Sequence, residues 1–412
     1  MAIMRVLHTA DWHLADRLGR QDRTADLRAA VERVVGICES EKVDLLLIAG
    51  DLFSELAGAE ALRETIRHLQ EVFAELLKGG ATIAAITGNH DRENFCQTLR
   101  HAMALASPIT GAPGEVLPAG RLFLATEPAL VRVEDRASGL PVQLLLMPYP
   151  SASRYLTDEP LQKYQGLDEK NRLLTSAFKA KLRSLREGPG YSTELPAILV
   201  AHIAVRGSEL PTLFRLSDTE DVVFDDRDLP SGIAYTALGH IHKPQLVGGS
   251  PAARYSGSIE RMDLGEKGDE KGVVLFDIGP DGLIGEPWTV PLPSTPIYEV
   301  TISNPAVELP ALRAMYPDAA RHLVKVRCTY TAGRESREEV VRELDALFPR
   351  WYDREITEAS ALGPSLVTEP SRGLGLEETV REYVKRELVT HDDAVQEAVL
   401  ARLEALLREA QD

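Results

Sequence analysis

Six short, unbroken apolar runs punctuate the first 240 residues: MRVLHTA (4–10), VDLLLIAG (43–50), ATIAAITG (81–88), VQLLLMP (142–148), PAILVAH (196–202) and IAYTALG (233–239). Strands with one wet face alternate apolar and polar residues. Continuous apolar runs of this length belong to strands buried on both faces. The segments between the early runs are helical. Leu27, Val31, Val34 and Val35 recur at helical spacing, as do Leu62, Ile66, Leu69, Val72, Phe73 and Leu76 before a stop at Gly79-Gly80. Strand and helix in alternation predict βαβ units and a mostly parallel sheet at the N-terminal end.

From about residue 120 the pattern becomes richer in strands, so the expected fold is α/β, a sandwich of two sheets flanked by helices. A proline-rich joint, Pro291-Leu-Pro-Ser-Thr-Pro296, ends this part. Beyond it come strand (IYEVTI), helix (ELPALRAMY), strand (HLVKVRCTY), helix (SREEVVRELDALF) and strand (YDREITEA), a compact βαβαβ unit. The expected division is 1–295, 296–362 and 363–412, the last being a linker and amphipathic helices over 376–388 and 392–410. In the second of these, Val395, Val399, Leu403 and Leu406 form one stripe suited to a partner helix.

A length of 412 residues with 44% hydrophobic and 26% charged residues fits two or three globular domains. The three cysteines (Cys38, Cys96 and Cys328) are scattered, which argues against a disulfide framework. The start lacks a signal peptide's apolar region and no run approaches a membrane span, so a cytoplasmic protein without membrane contact is expected. The net charge of −17 speaks against nucleic acid as a ligand unless a local basic face or bound metal ions reverse the sign.

The residues at the ends of these runs carry the chemistry. Asp11 and His13 come just after the first, Asp51 after the second, and Asn89, His90 and Asp91 after the third; His202 ends the fifth, and His240 and His242 come after the sixth. Ligands of such sheets bind outside the carboxyl ends of the strands. Singly, each residue has a bland reading as a turn, a cap or a satisfied core group. Jointly they make a donor set. Imidazoles mixed with carboxylates suit Mn, Fe or Zn better than Mg. Two ions about 3.5–4 Å apart can clamp a phosphoryl group for in-line displacement. Glycines stand before Asp51, Asn89 and His240, where the backbone must turn and approach closely. His240 and His242, two residues apart, share a direction in extended chain.

Asp11-x-His13, Gly50-Asp51, Gly88-Asn89-His90-Asp91, His202 and Gly239-His240-x-His242 resemble the five signature motifs of the calcineurin-like metallophosphoesterases. The resemblance implies a four-layer sandwich. It also implies two divalent ions, Mn2+ by preference. Asp11, His13, Asp51 and His242 would hold one ion, and Asp51, Asn89, His202 and His240 the other. His90 would assist the phosphate or leaving oxygen, and Asp91 would orient His90 or cap the next helix. HTADWHLADRLGR, AGDLFS and YSGSIERMDLGE (255–266) are similar to the SbcD family of DNA-repair nucleases. That likeness implies a homodimer built on the helices after Asp51 and Asp91, a capping domain over 296–362, and tail helices that dock a coiled-coil ATPase, SbcC. It further implies exonuclease and endonuclease action on DNA, at the nucleoid. A small-molecule phosphatase and a non-cutting scaffold for DNA and ATPase are the alternatives. Relatives usually start at the residue matching Met4, and Ser54 stands where archaeal relatives carry a second assisting histidine.

DNA contact has separate candidates. The 170–186 helix carries Lys170, Arg172, Lys179, Lys181, Arg183 and Arg186, with Leu174, Phe178, Leu182 and Leu185 facing the core. Arg17, Arg20 and Arg23, just past the first motif, are of the same kind. These would grip phosphates without reading sequence.

Overall fold

The computed structural model describes residues 2–106, 109, 112–156, 166–210 and 222–359, together with Val399, Arg402 and Leu403. The run ending in Thr9 forms a strand, Met4–Thr9, at the middle of a six-stranded sheet. Leu45–Ala49, Thr82–Ile86 and Leu122–Ala125 extend the sheet on one side, all parallel. On the other side a hairpin, Gly272–Gly279 and Gly282–Pro291, returns antiparallel from late in the chain. A seven-stranded sheet holds Pro141–Met147, Ala197–His202, Tyr235–Gly239 and Ser250–Tyr255 as parallel neighbours.

Burial explains the unbroken apolar runs. Leu46 and Ile48 face outward, packing with Leu27 and Val31 of the helix Thr24–Ser40 and with Leu62, Leu69 and Phe73 of the helix Ala59–Lys78. Leu45 and Leu47 face the other sheet, meeting Leu144, Leu146, Ile198, Val200 and Ala237. The second sheet's outer face, Leu145, Leu199 and Leu238, is covered by Leu174, Phe178 and Leu182 of the helix Leu167–Glu187. The layers are therefore helix, sheet, sheet, helix, as expected. The Gly272–Pro291 hairpin was not anticipated; it completes the first sheet from a point roughly 270 residues beyond its neighbour strand.

Residues 297–359 fold on a core of their own, around Val300, Val326, Cys328, Leu344 and Phe348. Ile297–Ile302, Leu323–Thr331 and Trp351–Ala359 make a parallel sheet with helices Pro305–Met315 and Arg337–Leu347. The first helix begins before the ELPALRAMY segment. Pro305 sits in its first turn, and Glu308 Oε1 accepts the N–H groups of Ser303 and Asn304 at 3.0 and 2.7 Å. The tail helices and their Val395 and Leu406 lie outside the described residues; Val399, Arg402 and Leu403 are helical.

The small sheet docks beside the first motif. Gln21 Nε2 donates to the Trp351 carbonyl at 2.8 Å, and the Arg20 and Arg354 guanidinium carbons each lie 4.0 Å from the Trp351 ring centroid. Arg350 pairs with Asp26 at 2.5 Å. The 255–266 stretch is the keystone between these parts. Glu260 Oε2 accepts from Arg23 Nη2 at 2.7 Å, while both Glu260 oxygens take the Thr295 N–H at 2.9 and 3.1 Å. Arg23 is thus a buried structural residue, 1% exposed, also bonded to Asp26 and the Arg261 carbonyl. This corrects its reading as a DNA contact: a guanidinium 1% exposed and held by three acceptors in the interior does not reach a phosphate at the surface.

Removing one partner of a buried pair leaves an uncompensated charge. Glu260→Ala is expected to cost about 3 kcal/mol in denaturant unfolding; a midpoint equal to wild type would show that Arg23 finds another partner.

Candidate metal centre

Both sheets present their carboxyl ends at one edge, and the loops leaving them are knitted together. The N–H of Asp11 donates to the Gly50 carbonyl at 3.0 Å, those of Trp12 and His13 to the Asp51 carbonyl at 2.8 and 2.9 Å, and that of Leu14 to Leu52 at 2.9 Å. Across the sandwich, the Asp11 carboxylate accepts the His240 N–H at 3.0 Å. Asp11, His13, Asp51 and His240 all have positive φ, at 53°, 45°, 52° and 99°. Left-handed backbone at non-glycine residues costs about 1–3 kcal/mol each and gathers at functional sites. The glycines are there for space. A Cβ on Gly50 would strike the His202 ring, and one on Gly88 would strike the Asp51 carboxylate.

The seven residues singled out from the sequence as metal ligands converge. His13 Nε2 and His242 Nε2 stand 3.1 Å apart, and a cation or a proton between them satisfies both. On the other side, Asn89 Oδ1 lies 3.0 Å from His202 Nε2 and 2.9 Å from His240 Nδ1. Asp51 Oδ2 lies between the two sets, 3.6 Å from His13 Nε2 and 3.2 Å from His202 Nε2. Ligand atoms of Asp11, His13 and His242 fall within 4.8 Å of one another, as do those of Asp11, Asp51 and His202. Asp11 is therefore within reach of both positions rather than of one alone. The donor set, hard carboxylate and amide oxygens mixed with imidazole nitrogens, fits divalent transition ions.

Tautomers are fixed from behind. His202 Nδ1 donates to the Ala49 carbonyl at 2.8 Å, leaving Nε2 for the site. His242 Nδ1 bonds to Glu266 Oε1 at 2.7 Å. Glu266 is the residue that sequence reasoning missed. It lies inside the 255–266 stretch, but only the fold brings it behind a ligand.

His90 belongs to neither cluster. It is half-buried, its N–H donates to Asp51 Oδ1 at 2.9 Å, and its Nδ1 lies 3.6 Å from Glu55 Oε1. Its ring centroid is 5.0 Å from that of His13, so it borders the site. Asp91 differs from expectation. Its carboxylate accepts the N–H groups of Gly88, Phe53 and Leu52 at 2.8, 2.9 and 3.2 Å, clamping the Asp51 loop to the Asn89 loop. It stands behind the ligands instead of orienting the His90 ring or capping the next helix. Ser54 donates to Asp16 Oδ1 at 2.7 Å and is 3% exposed, a loop brace.

Charge in the cluster is strongly coupled. Burial opposes charge on His202, yet Asp51 and Asp11 beside it push it up to about 9. Burial likewise opposes charge on His242, but Glu266 pushes it up to about 9. Burial drives His13 and His240 down to about 3. Asp51 is penalised by burial but held well below the usual carboxylate range by His202 and His13. The site thus stabilises positive charge at two places, beside Asp51 and beside Glu266.

A family model for calcineurin-like phosphoesterases matches residues 4–244. The SbcD chain of the Bacillus subtilis SbcCD nuclease is 32% identical over 285 residues, which span 67% of this chain and 67% of that one. The SbcD chain of Rhodobacter capsulatus is 28% identical over 295 residues, 70% of this chain and 69% of its own. That of Staphylococcus epidermidis is 26% identical over 341 residues, 79% and 76% of the two chains. The chain belongs to the SbcD family of calcineurin-like phosphoesterases.

In this SbcD-family chain the basic side chains fall into two groups. Lys179 Nζ pairs with Asp228 at 2.6 Å, and Arg186 donates to the Ser231 carbonyl at 2.8 Å. Ser231 precedes the strand Tyr235–Gly239, whose far end carries His240, so this end of the helix lies a strand length from the site, roughly 15–20 Å. Lys181 and Arg183 are exposed on the same helix. The Arg186 end of this helix therefore lies away from the candidate centre, and Lys179 is engaged by Asp228. Arg17 and Arg20 lie on the hairpin against the small sheet, exposed at the surface.

Below pH 9, His202 and His242 carry protons that incoming ions must displace. Apparent metal affinity should therefore rise with pH up to about 9, by at most about tenfold per unit for each proton displaced, and level off above. Calorimetry of Mn2+ binding in buffers of different ionisation enthalpy reads the protons released. No release at pH 7 would contradict this charge arrangement.

Proposed function

We propose that this SbcD-family chain is the nuclease subunit of an SbcCD-type complex. In this reading it hydrolyses DNA phosphodiester bonds as exonuclease and endonuclease, at double-strand ends and hairpins, in repair, recombination and replication. It would work in the cytoplasm, at the nucleoid. The observation that carries the reading is the position of Asp51 Oδ2, between a His13–His242 set and an Asn89–His202–His240 set. A pure binding module has no need of a carboxylate placed to serve two ions at once.

Asp11, His13, Asp51 and His242 would hold one divalent ion, and Asp51, Asn89, His202 and His240 the other, with Mn2+ as the preferred metal. Bound there, such ions supply Lewis-acid polarisation of the phosphoryl oxygens and lower the pKa of water. The chain's own residues do the rest. His240 and Asn89 present the second set at the open side of the site, where Asn89 is exposed. His90, outside both sets and half-buried at the rim, would stabilise the phosphorane or donate a proton to the leaving sugar oxygen. Asp91 keeps Asp51 and Asn89 in register. The sheet of 297–359, docked against Gln21 and Arg20, adds a second surface beside the first motif, which suits a polymeric substrate.

A homodimer is the assembly we assign to the helix pair after Asp51 and Asp91. Leu62 is a core residue there, while Ile66, Leu99 and Met103, with the buried Leu69 and Phe73, help to line an apolar groove of about 600 Å³ between the helices Ala59–Lys78 and Glu93–Ala106. The SbcC-type ATPase is the partner for the tail.

Cleavage of end-blocked hairpin DNA and of a simple phosphomonoester with Mn2+, with and without the ATPase, separates the nuclease from a phosphatase or a scaffold. DNA cleavage is expected, and a preference for the phosphomonoester would overturn the reading. Asp51→Asn is expected to abolish cleavage while the fold survives. His90→Ala should keep both ions and lose about 10²–10⁴-fold in turnover; loss of metal would instead make it a ligand.

A further inference from the structure

A buried charged pair stands behind His242. Glu266 and Lys271 have side chains 0% exposed, and Glu266 Oε2 lies 2.7 Å from Lys271 Nζ. Glu266 Oε1 accepts from His242 Nδ1 at 2.7 Å. Its Oε2 also accepts the Met262 N–H at 3.1 Å and the Ser258 hydroxyl at 3.3 Å. Lys271 Nζ donates to the His242 carbonyl at 2.9 Å. The pair therefore holds both the ring and the backbone of a single residue.

Two physical points give this meaning. With Nδ1 occupied, Nε2 is the His242 nitrogen that faces the site, and it is the one that meets His13 Nε2 at 3.1 Å. A carboxylate on the far nitrogen fixes the tautomer and raises the basicity of the ring as a metal ligand. In addition, a buried ion pair is a weak source of stability, since apolar residues of the same volume commonly do as well. His202, in the other set, leans instead on a neutral carbonyl, that of Ala49. The two candidate positions are thus backed by different electrostatics.

We infer that Glu266 and Lys271 are positioning residues that hold His242 for the Asp11–His13–His242 position, setting its metal affinity separately from that of the other position. The inference rests on the two-metal reading above.

The probe is Mn2+ alone, titrated calorimetrically into the full chain at pH 8. Wild type is expected to take up two ions. Glu266→Gln is expected to weaken one of them about 10- to 100-fold and leave the other within about twofold. Hairpin cleavage by the variant should recover as Mn2+ is raised. Glu266→Gln combined with Lys271→Met removes both charges of the pair, although it takes the nearby cation, 3.6 Å away, from Asp269 Oδ2, and should lose affinity at the same single position. Circular dichroism of the metal-free proteins reports the fold. Unchanged affinity at both positions, equal weakening at both, or unfolding of both variants would overturn the inference. Wild type that takes up no Mn2+ would instead overturn the two-metal reading itself.

Discussion

One carboxylate oxygen organises this molecule. Asp51 Oδ2 reaches His13 on one side and His202 on the other, and those histidines come from different sheets. For that to happen the two sheets must meet at their carboxyl ends with almost no space between them. Gly50 and Gly239 make this possible, because a side chain on either would collide with His202 or the Ala49 carbonyl. The sandwich core of Leu45, Leu47, Leu146 and Val200 supplies the apolar burial that holds the sheets in this register. The polar edge then sits on top of that core.

The edge itself is costly to build. It buries Asp11, Asp51, Asp91 and His202, and it holds several residues in left-handed backbone. A dense set of hydrogen bonds offsets the cost: the knit of the Asp11 and Asp51 loops and the Asp91 clamp. These contacts also make the geometry stiff, which a site for two ions requires. The overall charge of −17 is no obstacle to a polyanionic substrate in this setting. Cations held at the edge set the local sign of the field.

Much of this was legible along the chain. Continuous apolar runs gave the buried strands, since only two-sided burial removes the alternation, and the structure shows Leu45–Ala49 buried at every position. The ligand types followed because parallel strands all deliver their next residues to the same edge. The small βαβαβ unit was equally clear, its strands and helices falling where period and breakers put them. The helix starting at Pro305 was set too late, because its start depends on Glu308 reaching back to cap Ser303 and Asn304.

Residue type and spacing thus determined which side chains could form a donor set, and on which ends of which strands. They could not determine partners across the fold. Arg23 looked like a free cation in sequence, yet its partner Glu260 lies 237 residues away. Lys179 looked like a phosphate contact, but its ammonium is paired with Asp228, which comes 49 residues later in the chain. Glu266 was an unremarked acid until the 255–266 stretch folded under His242. Local sequence fixes conformation and burial pattern, because those depend on neighbours in the chain. Ion pairing and metal geometry depend on atoms within a few ångströms in space, and only the packing of two sheets decided which those were.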